Sequence, residues 1–129
     1  MKKNPVVHFE MPYEDGSRVS KFYSEVFGWE MNQLGKDMGN YVTAATAETD
    51  ENRMVKQPGA INGGFYSLGP DSPKYPSVVI SVDDIKEAMK KVTDAGGKIL
   101  GEPMDIPGIG SYVSFTDTEG NRVSLLQPR

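Results

Sequence analysis

Hydrophobic residues recur along the first half of the chain with two spacings, one typical of strands and one typical of helices. The segment Val6–Met11 is apolar and rich in β-branched residues, which predicts a strand. In Arg18–Phe27 the apolar residues recur three and four positions apart, which predicts a helix. Asp15 and Ser17 are the candidate caps before this helix, and Gly28 ends it. Three more strands are predicted at Trp29–Leu34, Asn40–Ala47 and Ala60–Leu68, and a long polar loop at 48–59.

The same order of elements returns after a segment with three prolines, residues 69–76, which predicts a linker. Ser77–Val82 has the composition of a strand, and Asp84 is a candidate cap of a second helix. Glu87 stands three residues after Asp84, as in a capping box, and the pair Gly96-Gly97 ends the helix. The remaining strands are predicted at Lys98–Pro103, Ser111–Thr116 and Arg122–Gln127, with a loop at 105–110 and a turn at 117–121.

The two halves are internal repeats of each other. One constant shift along the chain places Asp15 on Asp84 and Gly28 on Gly97, so cap and stop agree at one spacing. Any two strand-helix units look somewhat alike, but this agreement favours a true repeat. Two copies are too few for a solenoid, so the repeat indicates a fold of two related modules. The same shift places His8 on Ser77, and a slightly longer one places Tyr41 on Tyr112.

Three segments, at 8–29, 82–99 and 106–127, resemble the vicinal oxygen chelate superfamily, which includes glyoxalase I, bleomycin-resistance proteins and extradiol dioxygenases. They are most similar to its branch of predicted enzymes related to lactoylglutathione lyase. The resemblance implies one α+β domain over residues 1–129, with two βαβββ modules at about 5–68 and 77–127. It also implies an eight-stranded curved sheet around a central cavity, helices on the outside, and a homodimer.

Composition excludes several classes of function. The net charge is −4 and the pI about 5.0, so the chain lacks the basic surface that nucleic acids require. No apolar run is long enough to cross a membrane, and the N-terminal residues lack the apolar core of a secretory signal. The absence of cysteine excludes disulfides and thiolate chemistry, and we expect a cytoplasmic protein.

The residues at the superfamily's metal positions do not form a good ligand set. The resemblance places metal ligands on the first and last strand of each module, which here means His8, the stretch 62–65, Ser77 and Ser124. One imidazole and two neutral hydroxyls do not supply the fixed ligands that a divalent ion needs. We therefore expect no cofactor, and the sequence disfavours a divalent metal without forbidding one.

A small polar cluster remains where the superfamily binds its ligands. Glu10 lies two residues after His8, so both side chains point to the same face of one strand. Glu10 is a candidate general base assisted by His8, or else a structural carboxylate bonded to a neighbouring strand or tyrosine. Glycines 63 and 64 indicate a close approach of the backbone, room for a ligand, or a bulge. The candidate ligand-binding residues are His8, Glu10, Tyr41, Asn62, Ser77, Tyr112 and Ser124.

Three functions are compatible with these residues. The first is a metal-free protein that binds a small organic molecule, as bleomycin-resistance proteins do. The alternative is a lyase or isomerase related to lactoylglutathione lyase, with Glu10 as general base and His8 as its partner. The third is an interaction module without chemistry. The loop at 48–59 is either a charged, solvated loop or a lid over the cavity.

Overall fold

The chain folds as two compact units, each of which contains one copy of the repeat. The structure, a computed structural model, describes residues 2–52 and 54–129. Module one comprises residues 8–76, and module two comprises residues 77–129 together with the segment that precedes His8. The sequence pattern does not predict that this segment lies with module two. There the Ser81 amide donates to the Pro5 carbonyl at 2.9 Å, and the Lys2 ammonium lies 2.9 Å from the Asp83 carboxylate.

Module one has the predicted order of one strand, one helix and three strands. The elements are β1 Val6–Tyr13, α1 Gly16–Phe27, β2 Glu30–Gln33, β3 Val42–Ala45 and β4 Asn62–Ser67. The strands are hydrogen-bonded in the order β2-β3-β4-β1, with β1 parallel to β4 and antiparallel pairing elsewhere. A short 3-10 helix at Lys36–Met38 connects β2 to β3.

Module two repeats this plan with β5 Ser77–Ser81, α2 Ile85–Asp94, β6 Lys98–Ile106, β7 Gly110–Thr116 and β8 Arg122–Pro128. Its strand order is β5-β8-β7-β6, with β5 parallel to β8. The strand β6 continues to Ile106 and β7 begins at Gly110, so the predicted loop at 105–110 is shorter than expected. The eight strands and two α-helices of the described residues confirm the α+β class and the two βαβββ modules.

The helix caps predicted at Asp15 and Asp84 are present, whereas the other candidate, Ser17, lies inside α1. The Asp15 carboxylate accepts the Arg18 amide at 3.0 Å, and the Asp84 carboxylate accepts the Glu87 amide at 3.1 Å. Each bond satisfies a backbone N–H that has no partner within the helix. At the end of α1, Gly28 adopts the left-handed conformation, which favours glycine.

Each module buries an apolar sheet face beneath its own helix. In module one, Phe65 and Val42 form the centre, and Phe9 and Tyr23 pack against them. In module two the corresponding centre is aliphatic apart from one phenylalanine, and its members are Val82, Ile85, Val113, Phe115 and Leu125. Because successive residues of a strand point to opposite faces, the residues between these core positions lie on the other face of each sheet.

The loop at 48–59 has more structure than its polar sequence indicates. Thr49 and Val55 form an antiparallel bridge, and the Asp50 carboxylate accepts the amides of Asn52 at 2.8 Å and Met54 at 3.1 Å. This side chain therefore holds a small turn, as aspartate commonly does. Arg53, which belongs to the predicted lid, lies outside the described residues. No described helix is long and apolar enough to cross a membrane.

Candidate functional site

The polar cluster of module one lies on the sheet face opposite α1. Phe9 and Met11 pack into the core beneath the helix, so the alternating residues His8 and Glu10 point to the other face. Tyr41, which directly precedes β3, joins the same face. All three polar side chains are half-buried.

These three side chains form a continuous hydrogen-bonded chain. The Tyr41 hydroxyl donates to Oε2 of Glu10 at 3.2 Å, and Nε2 of His8 lies 3.1 Å from the same hydroxyl oxygen. A hydroxyl has one proton, and here that proton goes to the carboxylate. The imidazole must therefore donate from Nε2, which leaves the lone pair of a neutral ring on Nδ1.

Burial keeps this imidazole neutral. Removal from water lowers the pKa of His8 below its ordinary value of 6.5, because burial disfavours the charged ring. The negative charge of Glu10 opposes this shift but is the smaller effect. The cluster therefore presents a neutral imidazole and a carboxylate, joined by one tyrosine.

The corresponding face of module two carries neutral hydroxyls in place of ionisable groups. The Tyr112 hydroxyl lies 2.7 Å from the Ser124 hydroxyl, which in turn lies 2.9 Å from the Ser114 hydroxyl. Ser114 and Ser124 are buried, with 6% and 3% of their surface exposed. The sequence reasoning missed Ser114, although its place two residues after Tyr112 puts it on the same strand face.

The two remaining candidate residues are not members of these bonded chains, although Asn62 pairs with His8 in the sheet. Oδ1 of Asn62 accepts the amides of Thr46 at 2.8 Å and Ala47 at 3.0 Å, so this side chain anchors the end of β3. Ser77 is half-buried and begins β5. A ligand-binding role for Asn62 and Ser77 stays a prediction.

The donor set of the described residues does not fit a divalent metal ion. Among those residues, no group of three or more histidine, cysteine, aspartate or glutamate side chains lies close enough together to hold a metal. His8 and Glu10 supply two donor side chains, fewer than the three protein ligands of a typical catalytic zinc site. The hydroxyls of module two carry no charge to offset the dehydration of an ion.

Comparisons with known proteins agree on one family. Residues 6–125 match the family model for the Glyoxalase/Bleomycin resistance protein/Dioxygenase superfamily. A glyoxylase-like domain-containing protein of Didymella fabae is 32% identical over 116 residues, which cover 87% of this chain and 84% of that protein. A lactoylglutathione lyase of Oryza sativa subsp. japonica is 30% identical over 131 residues, which cover 95% of this chain.

The chain spans 44% of the rice lyase, less than half of that protein. Among solved structures, methylmalonyl-CoA epimerase from Mycobacterium tuberculosis superimposes with a TM-score of 0.68 at 14% identity, over 96% of this chain and 87% of the epimerase. At that identity the likeness shows a shared fold, and function has to be argued from the site.

Proposed function

The chain belongs to the glyoxalase/bleomycin resistance protein/dioxygenase superfamily, and from this premise we propose that it binds a small organic molecule without a catalytic metal. The observation that carries the proposal is the chain of hydrogen bonds from His8 through Tyr41 to Glu10. These bonds join two ionisable side chains, His8 and Glu10, on a half-buried sheet face. Two such side chains are too few to hold a metal ion.

The chemistry of the cluster indicates the kind of molecule that it binds. A carboxylate accepts hydrogen bonds, and so does Nδ1 of an imidazole that donates from Nε2. The complementary ligand carries hydroxyl or N–H groups on an apolar or aromatic body, since small-molecule sites combine apolar walls with a few polar anchors. A phenol or an aromatic amine has this character.

Thermal denaturation with a panel of phenols and aromatic amines tests the proposal. A compound that binds the folded state raises the melting temperature, and at 100 times its Kd it adds about 2.7 kcal/mol to the free energy of unfolding. We expect this rise in the wild type and its loss in Glu10→Gln. The matched control is Glu30→Gln, which makes the same change at an exposed carboxylate of β2 and should preserve the rise.

Three results would contradict the proposal. The first is the absence of any shift across the panel, and the second is a shift that Glu10→Gln leaves unchanged. The third is one tightly held divalent ion per chain in protein purified without chelators, measured by elemental analysis.

A lyase or isomerase is the second candidate function, and the position of Glu10 favours it. Its carboxylate is held by Tyr41 beside a neutral imidazole, so the cluster contains two groups able to take a proton from carbon next to a carbonyl. The probe is the adduct of glutathione and methylglyoxal, chosen because the rice relative is named a lactoylglutathione lyase. We expect Glu10→Gln to abolish turnover with the fold intact, and Glu30→Gln to retain it; equal turnover in both variants would exclude Glu10 as the base.

The cytoplasmic homodimer implied by the family resemblance belongs to the same proposal. Sedimentation equilibrium of the purified chain should give the mass of two chains, twice 14.2 kDa. A monomer at all concentrations would remove the dimer from the proposal and leave the ligand-binding part unaffected.

A further inference from the structure

Two adjacent glycines stand in the interior of β4 and face opposite sides of the sheet. A Cβ built on Gly63 would lie 2.4 Å from ring atoms of Phe9, on the core side. A Cβ built on Gly64 would lie 2.0 Å from the Tyr41 hydroxyl oxygen and 2.2 Å from two of its ring carbons. Real Cβ atoms do not approach other atoms this closely. Glycine inside a strand weakens it, and close approach of another group is one reason for its presence.

Backbone conformation does not explain the second glycine. Neither Gly63 nor Gly64 is among the glycines with positive φ, so alanine could adopt the backbone of both. The requirement at Gly64 comes from Tyr41, whose ring lies across the β4 backbone. Gly64 is also directly opposite Glu10 in the parallel pairing of β1 with β4. The space left by the missing Cβ of Gly64 therefore lies between Tyr41 and β1, the strand that carries His8 and Glu10.

Module two shows the alternative arrangement in the same register. In module one, Gly64 pairs with Glu10 on one side and Thr43 on the other. In module two, Ser124 pairs with Val79 and Ser114 in the same way. Tyr41 and Tyr112 each stand two residues before the β3 or β7 member of this set. Where Ser124 replaces the glycine, its hydroxyl lies 2.7 Å from that of Tyr112.

We propose that Gly64 is a positioning residue of the ligand site, because its missing side chain lets Tyr41 lie over β4 with its hydroxyl between His8 and Glu10. A side chain at this position moves the ring and separates the three groups. This inference rests on the proposed function, since it concerns the same polar cluster. Its test uses the ligand-free protein, so the role of Gly64 can be disproved while ligand binding is confirmed, and ligand binding can be disproved while the role of Gly64 is confirmed.

NMR of the imidazole tests the proposal directly. The chain has a single histidine, so every imidazole signal belongs to His8. In the wild type, above the His8 pKa, the Nε2 proton should be detectable because its hydrogen bond to Tyr41 slows exchange with water. We expect this signal to disappear in Gly64→Ala, as it should in Tyr41→Phe. Retention of the signal in Gly64→Ala, or its absence from the wild type, would overturn the proposal.

Gly63→Ala is the matched control, since it adds the same methyl group one residue away on the opposite face. It should lower the melting temperature through Phe9 and leave the Nε2 proton signal in place. A merely structural role for the glycine pair would make both variants behave alike. Loss of the signal in both would therefore overturn a specific role for Gly64.

A double-mutant cycle keeps the proposal testable even if Gly64→Ala folds poorly. In the wild-type background we expect the substitution to lower the melting temperature by about 3 to 8 °C, as overpacking does in a chain of this size. In Tyr41→Ala, where the ring is gone, the same substitution should have almost no effect. Equal decreases in the two backgrounds would show that Tyr41 is not the group that requires glycine.

Discussion

The two modules have the same strand order and register but different chemistry on their polar faces. Module one joins a neutral imidazole and a carboxylate through Tyr41, whereas the bonds described in module two join the hydroxyl groups of Tyr112, Ser114 and Ser124. The register places equivalent residues at equivalent positions, so a few side chains account for the difference. The shared scaffold therefore positions the groups, and the chemistry differs because module two has Val79 and Ser124 at the positions of Glu10 and Gly64.

The core faces differ as well, although they occupy the same register. Phe65 pairs with Val42 in module one, and Leu125 pairs with Val113 in module two. Module one uses aromatic rings, including Tyr23 stacked on Trp29 with ring centroids 4.7 Å apart. Gly63, two residues before Phe65, makes room for the ring of Phe9.

The largest expected effect comes from removing the centre of each core. Phe65 is 1% exposed and Leu125 is 4% exposed. We expect Phe65→Ala to lower the free energy of unfolding by about 3 to 5 kcal/mol, and Leu125→Ala by about 2 to 5 kcal/mol. Urea unfolding followed by circular dichroism measures both, and the single tryptophan, Trp29, reports on module one. A loss below about 1 kcal/mol for Phe65→Ala would contradict the aromatic core.

Much of this scaffold follows from the sequence because it depends on local patterns. The helix caps at Asp15 and Asp84, the repeat, and the shared strand face of His8 and Glu10 all follow from spacing. The role of Asn62 could not be predicted, since its partners at Thr46 and Ala47 lie across a long loop.

The contact between Tyr41 and Gly64 could not be predicted either, because it depends on which residues face each other across two strands. Strand register is set by tertiary packing and has no local signature in one sequence. Glycines 63 and 64 indicate a close approach of another group, but the sequence does not identify that group. The structure identifies Phe9 for one glycine and Tyr41 for the other.

Removal of the two tyrosine hydroxyls tests the difference between the polar faces. Tyr41→Phe leaves the Glu10 carboxylate and the His8 N–H without this partner, which should cost about 1 to 3 kcal/mol. Tyr112→Phe removes a bond between neutral hydroxyls, and Ser124 keeps Ser114 as a partner, so we expect about 0.5 to 1.5 kcal/mol. Chemical denaturation of the two variants side by side measures the difference. A larger loss for Tyr112→Phe would reverse the comparison.

The helix caps should show no such difference between the modules. Asp15→Ala and Asp84→Ala each remove one bond from a carboxylate to a helix amide of nearly equal length. We expect a loss of about 1 kcal/mol from each, measured by thermal and urea unfolding. If one cap costs much more than the other, the modules differ in their scaffold as well as in their polar faces.

The smallest expected effect is a pH dependence that only module one can supply, because the single histidine lies there. Burial lowers the pKa of His8 below 6.5 in the folded state, so the unfolded chain takes up the proton first as the pH falls. The contribution of His8 to the free energy of unfolding should therefore be constant at pH values well above 6.5, decrease as the pH falls through 6.5, and level off below the lower folded pKa. Carboxylates titrate mainly nearer pH 4, which leaves the window just below 6.5 to the imidazole.

His8→Gln removes this titration and should flatten the stability curve in that window, since glutamine keeps hydrogen-bonding capacity but takes up no proton. Urea unfolding of both proteins at intervals between pH 5 and 7.5 measures the difference. Parallel curves would mean that His8 titrates equally in the folded and unfolded chain, which is incompatible with a buried imidazole. That result would remove the electrostatic contrast between the polar faces, because the half-buried neutral ring beside Glu10 is what separates module one from the hydroxyl cluster of module two.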